Sequence, residues 1–168
     1  MTNTVIDKTV YIPFLAMVND TGDITGIKQQ IDGIKRFLFK GKEGTITQKA
    51  GTFLSSSMEK ILKEFEERGM EPAGDERQEH FLNSIIEFLD NIPKVKITLA
   101  FEPSITFVQR LNKEISKEVG EKIVMDISIN QFIVAGAIFE YLGKIQDFSL
   151  SQSIDDYIAD AAMSVTTP

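Results

Sequence analysis

The hydrophobic period of this 168-residue chain changes at Pro93. Before it, apolar residues recur at three- and four-residue steps, the spacing of one helix face. After it, Val95, Ile97 and Leu99 alternate with Lys94, Lys96 and Thr98, as a half-buried strand requires. Neither pattern suits the other element, because a wrong period turns apolar side chains out to water. The switch therefore predicts an α+β chain: an N-terminal helical bundle over residues 1–92, then a small α/β C-terminal domain with a β-hairpin over residues 93–168.

In the first part, Ile24, Ile27, Ile31, Ile34 and Leu38 form one stripe and predict a helix from Asp23 to Phe39, capped by Asp23 and stopped at Gly41. A second helix is predicted from Ile46 to Arg68, opened by Thr45 and Gln48 at capping-box spacing. Its buried side would carry Ile46, Ala50, Phe53, Leu54, Met58, Ile61, Leu62 and Phe65. Gly51 weakens that helix by up to about 1 kcal/mol relative to Ala. A third helix follows Asp75 as its cap, with Phe81, Leu82, Ile85, Ile86, Leu89 and Ile92 inward, and Pro93 closes it. Ahead of all three, Pro13 suits the first turn of a short helix.

In the second part, Pro103 and Ser104 start a helix that ends at Gly120 and points Ile105, Val108, Leu111, Ile115 and Val119 inward. Ile123, Met125, Ile127 and Ile129 make the next alternating strand. The stretch IVAGAIFEYLGKIQDFSLSQSIDDYI, Ile133 to Ile158, then reads as an apolar strand, a glycine turn, a second strand and a short amphipathic helix from about Ser151 to Ala162.

Chemistry is sparse. There is no cysteine, which removes thiolate metal sites and cysteine nucleophiles and fits a reducing compartment. The net charge of -7 is the wrong sign for a phosphate backbone or an anionic lipid surface, so neither nucleic acid nor direct membrane insertion is expected. No apolar run approaches the roughly 20 residues of a membrane-spanning helix, and the opening MTNTVIDK lacks the order of a secretory signal. His80 is the sole histidine and has no partner at metal-ligand spacing. Gly41 to Thr45 departs from the phosphate-loop pattern by placing Glu43 where the phosphate would lie, and reads as a turn. Glu64, Glu66, Glu67 and Glu71 read as the solvated side and end of an amphipathic helix, and Ser55 to Ser57 as helix surface. An enzyme would have to use this acidic cluster with His80. No catalytic residue, cofactor or metal is expected.

The ending carries the informative pattern: Val134-Ala135-Gly136, then Gly143 at the turn, then Asp147-Phe148-Ser149 and Leu150, with Ile154 and Ile158 beyond. In order and spacing, residues from Val95 onward resemble the C-terminal domain of the δ subunit of F-type ATP synthases, the oligomycin-sensitivity-conferring protein family. That family has a pattern close to I-G-G, a short hairpin and D-x-S. Ala135 stands where its first glycine is common, and the usual six-helix N-terminal domain is matched here by three helices and a short opening one. The resemblance implies a non-catalytic stator subunit of a proton-translocating synthase, peripheral on the cytoplasmic face of the membrane. Residues 1–92 would bind the α subunits of the catalytic head, and residues 93–168 the peripheral-stalk b subunit. Ile154 and Ile158 would be stalk contacts, while Gly136, Gly143, Asp147 and Ser149 would shape the domain. Read without the resemblance, the same residues suit a non-catalytic α+β adaptor for some other protein.

Overall fold

The computed structural model of the chain describes residues 8–40, 43–150 and 154. It is α+β, helical first and then sheet-forming, as the change of period predicts. Two compact units divide the chain: residues 1–18 with 22–92, and residues 19–21 with 93–168.

The first unit holds helices α1 (Ile12–Leu15), α2 (Thr21–Leu38), α3 (Ile46–Ala50), α4 (Ser56–Glu67) and α5 (Asp75–Asp90). Pro13 lies in the first turn of α1. The stripe of α2 is buried at Ile24, Ile27, Ile31, Ile34 and Leu38. Met58, Leu62, Leu82, Ile85 and Leu89 from α4 and α5 are also fully enclosed. Removing each such side chain from water contributes roughly 1.5–3 kcal/mol before chain entropy is charged against it. Rings extend the packing, with Phe14 5.8 Å from Phe65 and Phe65 5.6 Å from Phe81.

The single helix expected over residues 46–68 is broken. Gly51 takes φ +55° and ψ −130°, a backbone region closed to other residues, and Leu54 and Ser55 are extended. Ser55 is consequently no surface residue of a continuous helix but the N-cap of α4, accepting from the Met58 amide. Phe53, assigned to the buried side, is half-exposed after the break. At α5 the cap position falls to Gly74, and Asp75 is the first helical residue. The stop assigned to Gly41 lies outside the described residues.

Among the described residues, the second unit forms a four-stranded sheet, ordered β2-β1-β3-β4, with a helix connecting β1 to β2. Strand β1 (Lys94–Leu99) runs into α6 (Ile105–Val119), which returns the chain to β2 (Val124–Ile129), parallel to β1. Ser104 caps α6 at its start, and Gly120 ends it in a left-handed conformation. Strand β3 (Ala137–Tyr141) lies antiparallel on the other side of β1 and turns into β4 (Lys144–Asp147). Val95, Ile97, Leu99 and Met125 pack with Val108 of α6 and Ile123 to form the core. The apolar stretch expected to be strand from Ile133 becomes regular strand only at Ala137, because Asn130 turns the chain first: its side chain accepts from the Phe132 amide and its carbonyl from the Ile133 amide.

Two inward assignments on α6 change. Ile105, expected inside, is exposed, and Asn112, four residues after Val108, is buried. Asn112 Nδ2 donates to the carbonyls of Asn19 at 2.8 Å and Ile123 at 2.9 Å, and its Oδ1 accepts from Lys122 at 2.7 Å. It thereby fastens residues 19–21, where Asp20 bridges Met125, along the outer edge of β2.

Candidate docking surface

Three of the residues singled out near the end of the chain, Gly136, Asp147 and Ser149, converge on one corner of the sheet. Beyond β4 the chain continues to pair backward: the Phe148 amide donates to the Ala137 carbonyl and the Leu150 amide to the Ala135 carbonyl, both at 2.9 Å. Gly136 sits between these two bonds and faces Ser149. Its φ is +98°, and a Cβ placed there would stand 2.2 Å from the Phe148 carbonyl oxygen and 2.9 Å from Ser149 Cα. Both the dihedral and the approach of the neighbouring backbone demand glycine. Opposite it, Asp147 Oδ1 accepts from the Ser149 amide at 2.7 Å, an Asx turn that bends the chain over Gly136. The Ser149 hydroxyl first, and then this amide, hold the Asp147 carboxyl below its usual range. Ser149 itself is buried. At the far end of the hairpin, Tyr141 pairs with Lys144 around Leu142 at φ +50° and Gly143 at φ +76°, the two positive dihedrals of a type I′ turn.

Around this frame the second unit keeps large apolar side chains in water. Phe132 is 94% exposed and Leu142 83% exposed, and Val134, Ile145, Phe148 and Leu150 are exposed as well. Ile154 is 42% exposed. Ile158 and the rest of the helix expected over residues 151–162 lie outside the described residues. Scattered exposed apolar residues are ordinary, but a group of them on one hairpin and in the segments flanking it marks a surface suited to a partner. Leu142 is the sharpest case, since a bulky residue at positive φ costs roughly 1–2 kcal/mol and here has no burial to offset it.

The sheet face away from α6 is polar. Lys96 pairs with Glu140 at 3.3 Å, and the Thr98 and Ser128 hydroxyls meet at 3.1 Å. Asp126 and Ile145 line the same shallow hollow of about 140 Å³.

The acidic cluster of the first unit divides. Glu67 is exposed, and Glu64 faces Arg68 across 4.0 Å. Glu66 and Glu71, read from sequence as solvated, instead accept from the first amides of α3: Thr47 donates to Glu66 and Ile46 to Glu71. The capping box forms too, with the Gln48 amide donating to Thr45 Oγ1 and the Thr45 amide to Gln48 Oε1. The anion beside this helix start is thus supplied by the chain itself. The hidden partner of Glu71 is Gln78, buried one turn before Leu82, whose Nε2 donates to it at 3.0 Å. His80 is exposed on α5. Among the described residues no three His, Asp or Glu group to hold a metal ion, and no helix is long and apolar enough to cross a membrane.

No protein-family model and no curated protein sequence matches this chain. Among solved structures, a chain in the cryo-EM structure of Polytomella F-ATP synthase, primary rotary state 3, matches with 19% identity, covering 45% of this chain and 96% of that one. Its TM-score is 0.37, too low to carry fold or function from one chain to the other.

Proposed function

We propose that this chain is a stator subunit of an F-type ATP synthase, fastening the catalytic head to the peripheral stalk. One observation carries the reading. Gly136, Asp147 and Ser149, the residues on which the resemblance to the δ subunit rests, meet in one backbone interlock at the root of a hairpin rich in exposed apolar side chains. An anchor under torque needs that combination: a stiff frame without reactive groups, and apolar surface that a helix can cover. The b subunit would dock through Ile154 and Ile158, and the α subunits through residues 1–92.

The test is the double variant Ile154→Glu/Ile158→Glu in gently solubilised membranes. Wild-type protein should co-purify with α and b subunits, and the variant should lose b while keeping its circular dichroism. Retention of b by the variant would overturn the stalk contact. Recovery of the wild-type protein with neither subunit would leave the adaptor reading in its place.

A further inference from the structure

The first unit contains a corner held together by side-chain carboxyls. Helix α4 ends in a reversal, with the Gly69 amide donating to Glu66 and the Met70 amide to Phe65, and this returns Glu71 to the start of α3. There Glu71 Oε1 accepts from the Ile46 amide at 2.6 Å and from Gln78 Nε2 at 3.0 Å. Glu66 Oε1 accepts from both the amide and the hydroxyl of Thr47. The second oxygen of Glu71, Oε2, is buried and meets no donor. As a carboxylate, Glu71 is therefore short of one hydrogen bond. As a carboxylic acid it becomes a donor itself, and the neighbouring Glu66 carboxylate, whose charge opposes ionisation of Glu71, can accept that proton.

We propose that Glu71 and Glu66 form a proton-operated latch, which pins the first turn of α3 to the turn before α5 while Glu71 is a carboxylic acid and loosens when it ionises. The surroundings agree. Lys49 of α3, the nearest cation, is already engaged by Asp75 at 2.6 Å and by Gln78 Oε1 at 2.7 Å. Glu43 before α3, and Asp75 and Arg77 of α5, are the other charged groups around the cavity of about 580 Å³ beside the pair. Burial first, then the charge and hydrogen bond of Glu66, outweigh the Ile46 amide and Lys49 and raise the Glu71 carboxyl from 4.5 to about 7. A folded value above the unfolded one means that the folded state binds the extra proton. The latch is thus fully closed below about pH 4.5 and is lost as pH rises through about 7.

The experiment follows carboxyl-carbon NMR titration together with amide exchange at Ile46 and Thr47 in the full chain. Glu71 should titrate near neutrality. Protection of the two amides should fall about tenfold from pH 6 to pH 8 beyond the ordinary base-catalysed rise. Glu71→Gln, which keeps an acceptor for Ile46 and a donor toward Glu66, should flatten that dependence at the high-protection level. Titration of Glu71 in the ordinary carboxylate range, unchanged protection, or an equal slope in Glu71→Gln would each overturn the latch. If Glu71→Gln fails to fold, the wild-type titration decides alone. None of these readouts depends on what the chain docks to.

Discussion

The corner at the start of α3 and the corner at the root of the β3–β4 hairpin hold their backbones by opposite means. At the first, side-chain carboxyls reach across to amides that a short helix leaves unpaired. At the second, backbone meets backbone, and the deciding residue has no side chain at all. The first can therefore be undone by the loss of a proton and hardly at all by a small change of volume elsewhere. The second is insensitive to neutral pH but intolerant of a single methyl group. The connector proposed above, which would have to stay rigid where it is pulled, would gain from the second construction at its docking end.

The largest expected effect follows from that methyl. Gly136→Ala places a Cβ inside contact distance of a carbonyl oxygen that cannot swing away, at a φ that alanine disfavours. Overpacking and backbone strain together should cost about 3 kcal/mol or more in denaturant unfolding. Because Gly136 supports the second unit alone, tryptic cleavage should appear first within residues 93–150. A loss under about 1 kcal/mol would mean that the Phe148–Ser149 backbone is free to yield and that the interlock is not rigid.

Proton dependence sharpens the contrast. Ionised Asp147 is stabilised by the Ser149 hydroxyl and then by the Ser149 amide, so its contribution is present above the ordinary aspartate value of 3.8 and is lost as pH falls through its lower folded value. Exchange at Ser149, corrected for base catalysis, should stay flat between pH 6 and pH 8, where Ile46 and Thr47 change about tenfold. Below pH 4 the order should reverse, with Ser149 losing protection while the α3 corner is at its tightest. Parallel profiles at both corners would show a global transition and remove the distinction.

The same contrast explains what the sequence made legible. The elements came through because period and punctuation agree: the stripes of α2 and α5, the alternation in β1 and β2, Ser104 and Gly120 at the ends of α6. The glycine corner was legible as a motif, since Gly136, Asp147 and Ser149 each carry a local backbone signature. The carboxyl corner was not. Glu66 and Glu71 have the spacing and company of a solvated helix face, and only the break at Gly51, with the reversal after Arg68, brings them to α3. Gln78 and Asn112 were missed for a related reason. Each is a polar residue four positions from a buried apolar one, so pattern reading turns it outward, whereas backbone carbonyls and charged partners meet it inside. The signal that could have found them is position on the buried stripe, read regardless of polarity.

The smallest effect bears most directly on docking. Leu142 occupies the first central position of a turn whose two dihedrals are positive, and its side chain lies in water. Asparagine enters that conformation more readily, and Asn-Gly is the favoured pair for this turn. Leu142→Asn should therefore raise the stability of the second unit by about 0.5–1 kcal/mol, measured by the denaturant midpoint at unchanged slope. A chain selected only to fold would carry the asparagine. If the leucine is kept for a partner, the more stable variant should recover less stalk subunit from solubilised membranes, a combination that loss of folding cannot produce. A variant that is more stable and assembles as well as wild type would remove the hairpin tip from the docking surface, leaving the rim around Phe132, Phe148 and Ile154 to carry the contact.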